Sequence, residues 1–222
     1  MRSHLSVGGT FTNPSDERIK KNITDLNDNE SLNLINQLDV KKYKYIDEST
    51  RGNVETYGFL AQQVESIIPL AVKTSEKHIP TVYETSNIST SNGEVIVTLN
   101  NSIDLTDSTI YGNISSPLNF KYYDNNNLAL DLDTTSIDST HLQIDGATIV
   151  SGNLCINNEV KGNISNGQIF VVGPKVNDFK SLDKSKIFSV GISAIQDLNS
   201  KYTTLQTQYN DLLTRVTALE NA

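Results

Sequence analysis

Few side chains in this 222-residue chain are of types that do chemistry, and most of them are scattered. His4, His78 and His141 have no ligand spacing to one another or to Cys155, so neither a metal centre nor a cofactor is expected. One cysteine leaves no internal disulfide. Ser15 taken alone reads as a helix N-cap, and Lys20 taken alone as a solvated charge. Tyr111, Tyr122 and Tyr123 carry faces able to stack on sugar rings, which gives their region a glycan- or receptor-contact reading. The other reading of the same residues is strand core. The cluster Lys41-Lys42-Tyr43-Lys44 is small against a formal net charge of -8, so nucleic acid is not an expected partner.

The elements that must position these residues follow from pattern. Hydrophobic residues make up 36% of the chain, a low share whose shortfall is filled by Asn, Ser and Thr, so much of it is expected to be exposed or extended. There is no run of about 18 apolar residues, and Met1 to Leu5 is too polar for a signal-peptide core, so no membrane span or signal peptide is expected. Gly8-Gly9 and Asn13-Pro14 mark residues 1–14 as a flexible lead-in. Ser15 or Asp16 then caps a turn or helix start. Leu32, Ile35 and Leu38 predict a short helix from near Asp28, and Val40 to Ile46 alternates as a strand. Leu60, Val64, Ile67 and Ile68 predict a second helix from about Gly58 to Ile68, closed by Pro69. From Ile79 to Val172 short alternating runs such as Glu94 to Leu99 and Ala147 to Val150 predict an all-β stretch: a small barrel, a sandwich or an extended arm.

The C-terminal end has the clearest period. Ile195, Tyr202, Tyr209 and Val216 stand at heptad position a, and Leu198, Leu205, Leu212 and Leu219 at d. A stripe this narrow suits a coiled-coil seam better than one face of a globular core. Arg215 at g and Glu220 at e are placed to pair between parallel helices, and Arg215 to Glu220 resembles the Arg-h-x-x-h-Glu pattern (h, hydrophobic) of three-stranded coiled coils. An exposed pair is worth only about 0.2–1 kcal/mol, so burial of the a and d residues must supply the stability. Oligomerisation is expected on that ground alone.

Three blocks then carry a family resemblance. Ser15-Asp16-Glu17-Arg18-Ile19-Lys20-Lys21-Asn22-Ile23 is similar to a Ser-Asp-x-Arg-x-Lys-x-Asn-Ile opening. Tyr57 to Glu65 follows, with Pro69 and Val72 behind it. The third, looser block holds Val176-Asn177-Asp178-Phe179, Leu182, Ile187 and Ala194 to Leu198. Together they resemble the intramolecular chaperone domain at the ends of phage endosialidases, tail spikes and large-virus proteins. The resemblance implies an α+β fold with helices and short strands at the ends, a β-rich insertion in the middle and a parallel trimeric coiled coil formed by the C-terminal helix. The divisions expected are 1–14 upstream (residual fibre or leader), 15–78 the N-terminal part of the chaperone domain, 79–172 the insertion, and 173–222 the C-terminal part.

It also implies a homotrimer that folds a fibre or tail spike attached upstream and then releases itself by autoproteolysis at Pro14–Ser15. In this reading the chain is a one-turnover serine endopeptidase, with Ser15 the nucleophile and Lys20 its base. Asp16, Arg18, Asn22 and Gln62 are supporting residues, and Arg18 and Lys21 are positive neighbours of the base. The implied setting is the virion, or the host cytoplasm during assembly. The alternative is a non-cleaving structural trimerisation or adhesion module. Fourteen residues precede Ser15, so the chain is expected to be either a piece of a longer protein or naturally short.

Overall fold

Alternation of apolar and polar residues decides the centre of this chain. The computed structural model describes residues 14–112, Ile114 and 117–221; the rest of the predicted lead-in, including His4 and Gly8-Gly9, lies outside them. The chain divides into two compact units: residues 37–187, and a second drawn from the residues up to Asn36 and from Phe188 onward.

Among the described residues the larger unit holds twelve strands: β1 (Lys41–Tyr43), β2 (Thr56–Gly58), β3 (Val72–His78), β4 (Glu84–Ser91), β5 (Glu94–Thr98), β6 (Asn119–Tyr123), β7 (Ala129–Ser136), β8 (His141–Ile144), β9 (Ala147–Val150), β10 (Asn153–Ile156), β11 (Glu159–Asn163) and β12 (Gln168–Leu182). In β5, β6, β7 and β8 every second residue is buried, as period-2 side chains on a half-covered sheet must be. The strands run β12-β4-β5-β8-β7-β6, all antiparallel, and β6 returns to β12, so the sheet closes on itself as a six-stranded barrel. Phe170 makes the closure visible, pairing with Thr85 of β4 on one side and Tyr123 of β6 on the other. Closure leaves no free edge among these strands.

The barrel interior holds Val95, Val97, Phe120, Tyr122, Leu142, Ile144, Ile169 and Val171, with Leu154 from the β9-β10-β11 meander in the same cluster. Tyr122 is fully buried; its hydroxyl lies 3.1 Å from Thr134 Oγ1, and burial pushes its pKa up. The register shifts between Val171 and Gly173, and the second half of β12 leaves β6 to pair with β3. At that bend Gly173 has φ +150, and a Cβ there would strike the Ile79 carbonyl oxygen.

Four short helices occur among the described residues: α1 (Asp28–Ile35) in the smaller unit, then α2 (Glu48–Arg51), α3 (Ala61–Ile67) and α4 (Ser108–Tyr111) in the larger. Asn27 caps α1 by accepting from Glu30 N at 3.1 Å. α3 buries Val64 and is followed by a 3-10 turn, Pro69–Ala71, which buries Ala71. Lys186 Nζ donates to Leu70 O at 2.7 Å, Asp183 N to Ala71 O at 2.8 Å, and Lys180 to Glu65 at 2.8 Å. These contacts tie α3 and its turn to the end of β12 and the start of α5 (Lys184–Glu220), a single helix of 37 residues.

The chain is α+β, with a large antiparallel sheet and a C-terminal helix. Several local expectations need correction. The predicted strand from Val40 to Ile46 is paired only over Lys41–Tyr43, because β2 offers a partner of three residues. The second helix begins at Ala61 rather than Gly58: Tyr57 and Gly58 belong to β2, and Leu60 is extended at φ -85, ψ 126. Tyr111 and Tyr122 are core residues and present no face to a ligand; of the three tyrosines only Tyr123 is half exposed.

Candidate functional site

The N-terminal motif folds as a three-residue 3-10 turn, Glu17–Ile19. Asp16 caps it, accepting from Arg18 N at 2.9 Å, and the Arg18 guanidinium turns back onto the same carboxylate at 3.0 and 2.6 Å. Those bonds, the guanidinium's first, hold the Asp16 carboxyl below its usual range. Lys20 N bonds Glu17 O at 2.9 Å and closes the turn, and Lys20 itself is extended at φ -110, ψ 155. Five residues of ordinary helix would set Lys20 about 140° round from Ser15. The tight turn with an extended exit brings the side chain back instead, and Lys20 Nζ donates to Ser15 Oγ at 2.7 Å.

A hydroxyl and an amine in contact are the two parts that hydroxyl activation needs: a weak nucleophile and a group able to take its proton. Both residues are exposed, as is Pro14 before them. Asn22 adopts the left-handed region at φ 55, which Asn tolerates, and turns the chain just past the motif. Gln62 lies on the exposed side of α3, in the larger unit. Asp16 and Arg18 therefore shape the turn that carries Ser15 and Lys20.

The second feature is α5. At its start the helix is anchored within the smaller unit: Ser193 Oγ donates to Asp28 Oδ1 at 2.6 Å and lies 2.9 Å from Ser31 Oγ, and Ser31, Ser193 and Ala194 are all buried. From Leu198 to Glu220 every residue is exposed. Ile195, Leu198, Tyr202, Leu205, Tyr209, Leu212, Val216 and Leu219 line one side of a helix that no other described part of the chain covers. Phe188, 70% exposed, stands seven residues before Ile195 and extends the same row. Sequence reading missed it because Gly191 occupies the d position between them.

Among the described residues no group of three or more His, Cys, Asp and Glu is placed to hold a metal, and no helix is long and apolar enough to cross a membrane.

Residues 15–73 match the family model described as "Chaperone of endosialidase". The "Uncharacterized protein VP1" of Micromonas pusilla reovirus (isolate Netherlands/2005) is 27% identical over 233 aligned residues, covering 93% of this chain and 12% of that protein. The chain thus spans about an eighth of the length of that curated relative. The family match begins at Ser15, the hydroxyl in contact with Lys20, and includes α1 and α3. Over residues 15–73 the chain is similar to that chaperone family.

Proposed function

We propose that this chain is an intramolecular chaperone that assembles as a parallel homotrimer, guides the folding of a viral fibre or tail spike attached upstream, and then cuts itself free between Pro14 and Ser15. The 2.7 Å contact between Lys20 Nζ and Ser15 Oγ carries the reading. In this reading Lys20, once deprotonated, takes the hydroxyl proton as Ser15 Oγ attacks the carbonyl carbon of Pro14. The C–N bond breaks, Pro14 is left as an ester on Oγ, and the proton passes to the departing Ser15 amine. Water then splits the ester, giving a carboxylate at Pro14 and restoring the hydroxyl.

A lysine serves as base only where burial or positive neighbours lower its pKa from about 10.4. Arg18 is already matched by Asp16, and the pair is exposed in the single chain, so the missing cover is assigned to neighbouring copies. That assignment makes assembly the trigger for cleavage. The uncovered heptad row of α5 supports the trimer, because about 25 cal/mol per Å² is forgone while its leucines face water. The work is done in the virion or in the host cytoplasm during assembly, and loss of the chaperone afterwards leaves the fibre held by a kinetic barrier.

One observation favours a permanent trimerisation module instead: the exposure of both Ser15 and Lys20. Fusion of a passenger before Met1 separates the two readings. Mass spectrometry of the parent should show a cut at Pro14–Ser15, absent from Ser15→Ala and from Lys20→Ala. An intact parent under conditions where it is trimeric would leave only the structural module.

A further inference from the structure

We propose that the outer face of the barrel binds a neutral oligosaccharide, in a cleft of about 700 Å³ floored by Tyr83, Tyr123 and Phe170. This site is separate from the serine–lysine pair and does not depend on cleavage.

The strand register builds the floor. In β12, Ile169 and Val171 point into the core, so Phe170 points out; in β6, Phe120 and Tyr122 point in, so Tyr123 points out. Thr85, Phe170 and Tyr123 are register partners across three adjacent strands and so form one transverse row on the barrel's outer surface. Phe170 meets Tyr83 edge-on at 5.1 Å between ring centroids and Tyr123 at 6.4 Å. Aromatic rings turned away from a filled core and left half exposed offer apolar faces beside hydroxyl tips, the surface on which the C–H face of a sugar ring packs.

Tyr83 is held there against its own backbone preference. Its φ is +49, an outlier for a bulky side chain, and both Val82 N and Tyr83 N donate to Val172 O at 3.1 Å to keep it.

The rim decides what kind of ligand fits. Gln168 is exposed on the same strand face as Phe170, and Asn127 and Thr50 line the same cleft. Amides and hydroxyls both donate and accept, as the hydroxyls of a sugar do. The charged groups in the lining are already committed within the chain. Asp47 pairs with Arg51 at 3.0 Å, and Lys121 lies 3.5 Å from Asp131. Asp124 accepts from the backbone of Asn126, Leu128 and Asn163. A charged ligand would find no uncommitted counter-charge among them, whereas a neutral polyhydroxylated one needs none. The volume lies inside the range of about 300–1,000 Å³ common to small-ligand sites.

The test uses the whole chain and saturation-transfer NMR with maltotriose, cellotriose and tri-N-acetylchitotriose, with 3′-sialyllactose as the acidic comparison. At least one neutral trisaccharide should bind saturably. Tyr123→Ala and Phe170→Ala should each weaken that binding by about tenfold or more, the loss expected when an aromatic stacking face is removed. Gln168→Ala, at an exposed strand position, leaves the core untouched and should also weaken it, which keeps the test decisive if an aromatic variant unfolds. Three results would each overturn the proposal: no saturable binding of any neutral trisaccharide, binding of 3′-sialyllactose alone, or neutral binding unchanged in folded Tyr123→Ala and in Gln168→Ala.

Discussion

Leu205→Ala is the sharpest probe of the helical seam. Leu205 sits in the middle of the row on α5 and is 63% exposed in the single chain. Full burial of a leucine is worth about 1.5–3 kcal/mol, so covering the exposed part contributes about 1–2 kcal/mol per chain and about 3–6 kcal/mol across three chains. At 1.4 kcal/mol per decade that is about two to four decades in the trimer dissociation constant. The midpoint concentration of a monomer–trimer equilibrium varies as the square root of that constant, so it should rise by about one to two decades. Alanine is the best helix former, so the loss cannot come from a weaker helix. Sedimentation equilibrium over a dilution series reads the midpoint directly, with the parent expected near three times 24.5 kDa. A parent that stays at 24.5 kDa throughout, or a variant midpoint equal to the parent's, would refute the seam.

Other perturbations report on the parts that hold the seam and the barrel. Ser193→Ala removes the buried hydroxyl that bonds Asp28 and lies against Ser31, and should cost about 1–3 kcal/mol in urea unfolding. Gly173→Ala places a Cβ against the Ile79 carbonyl at a φ of +150, and should lower the melting temperature by calorimetry far more than Gly93→Ala, where a Cβ meets nothing. Asp138 is depressed from 3.8 to about 2, first by the Thr140 backbone N–H and then by His141. Its folded pKa lies below the unfolded one, so its contribution to stability is complete above about 4 and is lost as pH falls toward 2. Asp138→Asn should flatten that part of the stability profile while leaving the rest of the acid limb in place.

Local pattern was a good guide wherever a segment answers mainly to itself. α1 starts at Asp28 and carries Leu32 and Ile35 as expected, though it ends at Ile35 and leaves Leu38 outside it, and α5 runs through the whole heptad row. Local pattern failed where a distant partner decides. The apolar period that ends α3 continues backward through Leu60, but pairing with β1 keeps Tyr57 and Gly58 extended. Tyr122 and Tyr123 are neighbours of one residue type; only the strand's pairing on both sides determines that Tyr122 enters the core and Tyr123 faces out. The choice of a barrel over a sandwich or an extended arm was beyond reach for the same reason, since closure depends on Phe170 meeting Thr85 and Tyr123 at once. At the candidate site the residue types of Ser15 and Lys20 could be read directly. The 3-10 turn that joins them could not, because a helix start and a tight turn share the same Ser-Asp opening.

The shared strand β12 sets a timetable for a chain leaving the ribosome. It completes the barrel by bonding β4 and β6 and gives β3 its partner, so those earlier strands wait with open edges until it emerges. The 37 residues of α5 follow directly, within about 2–7 s at 5–20 residues per second. The closed barrel and the exposed apolar row of α5 are therefore completed within seconds of each other.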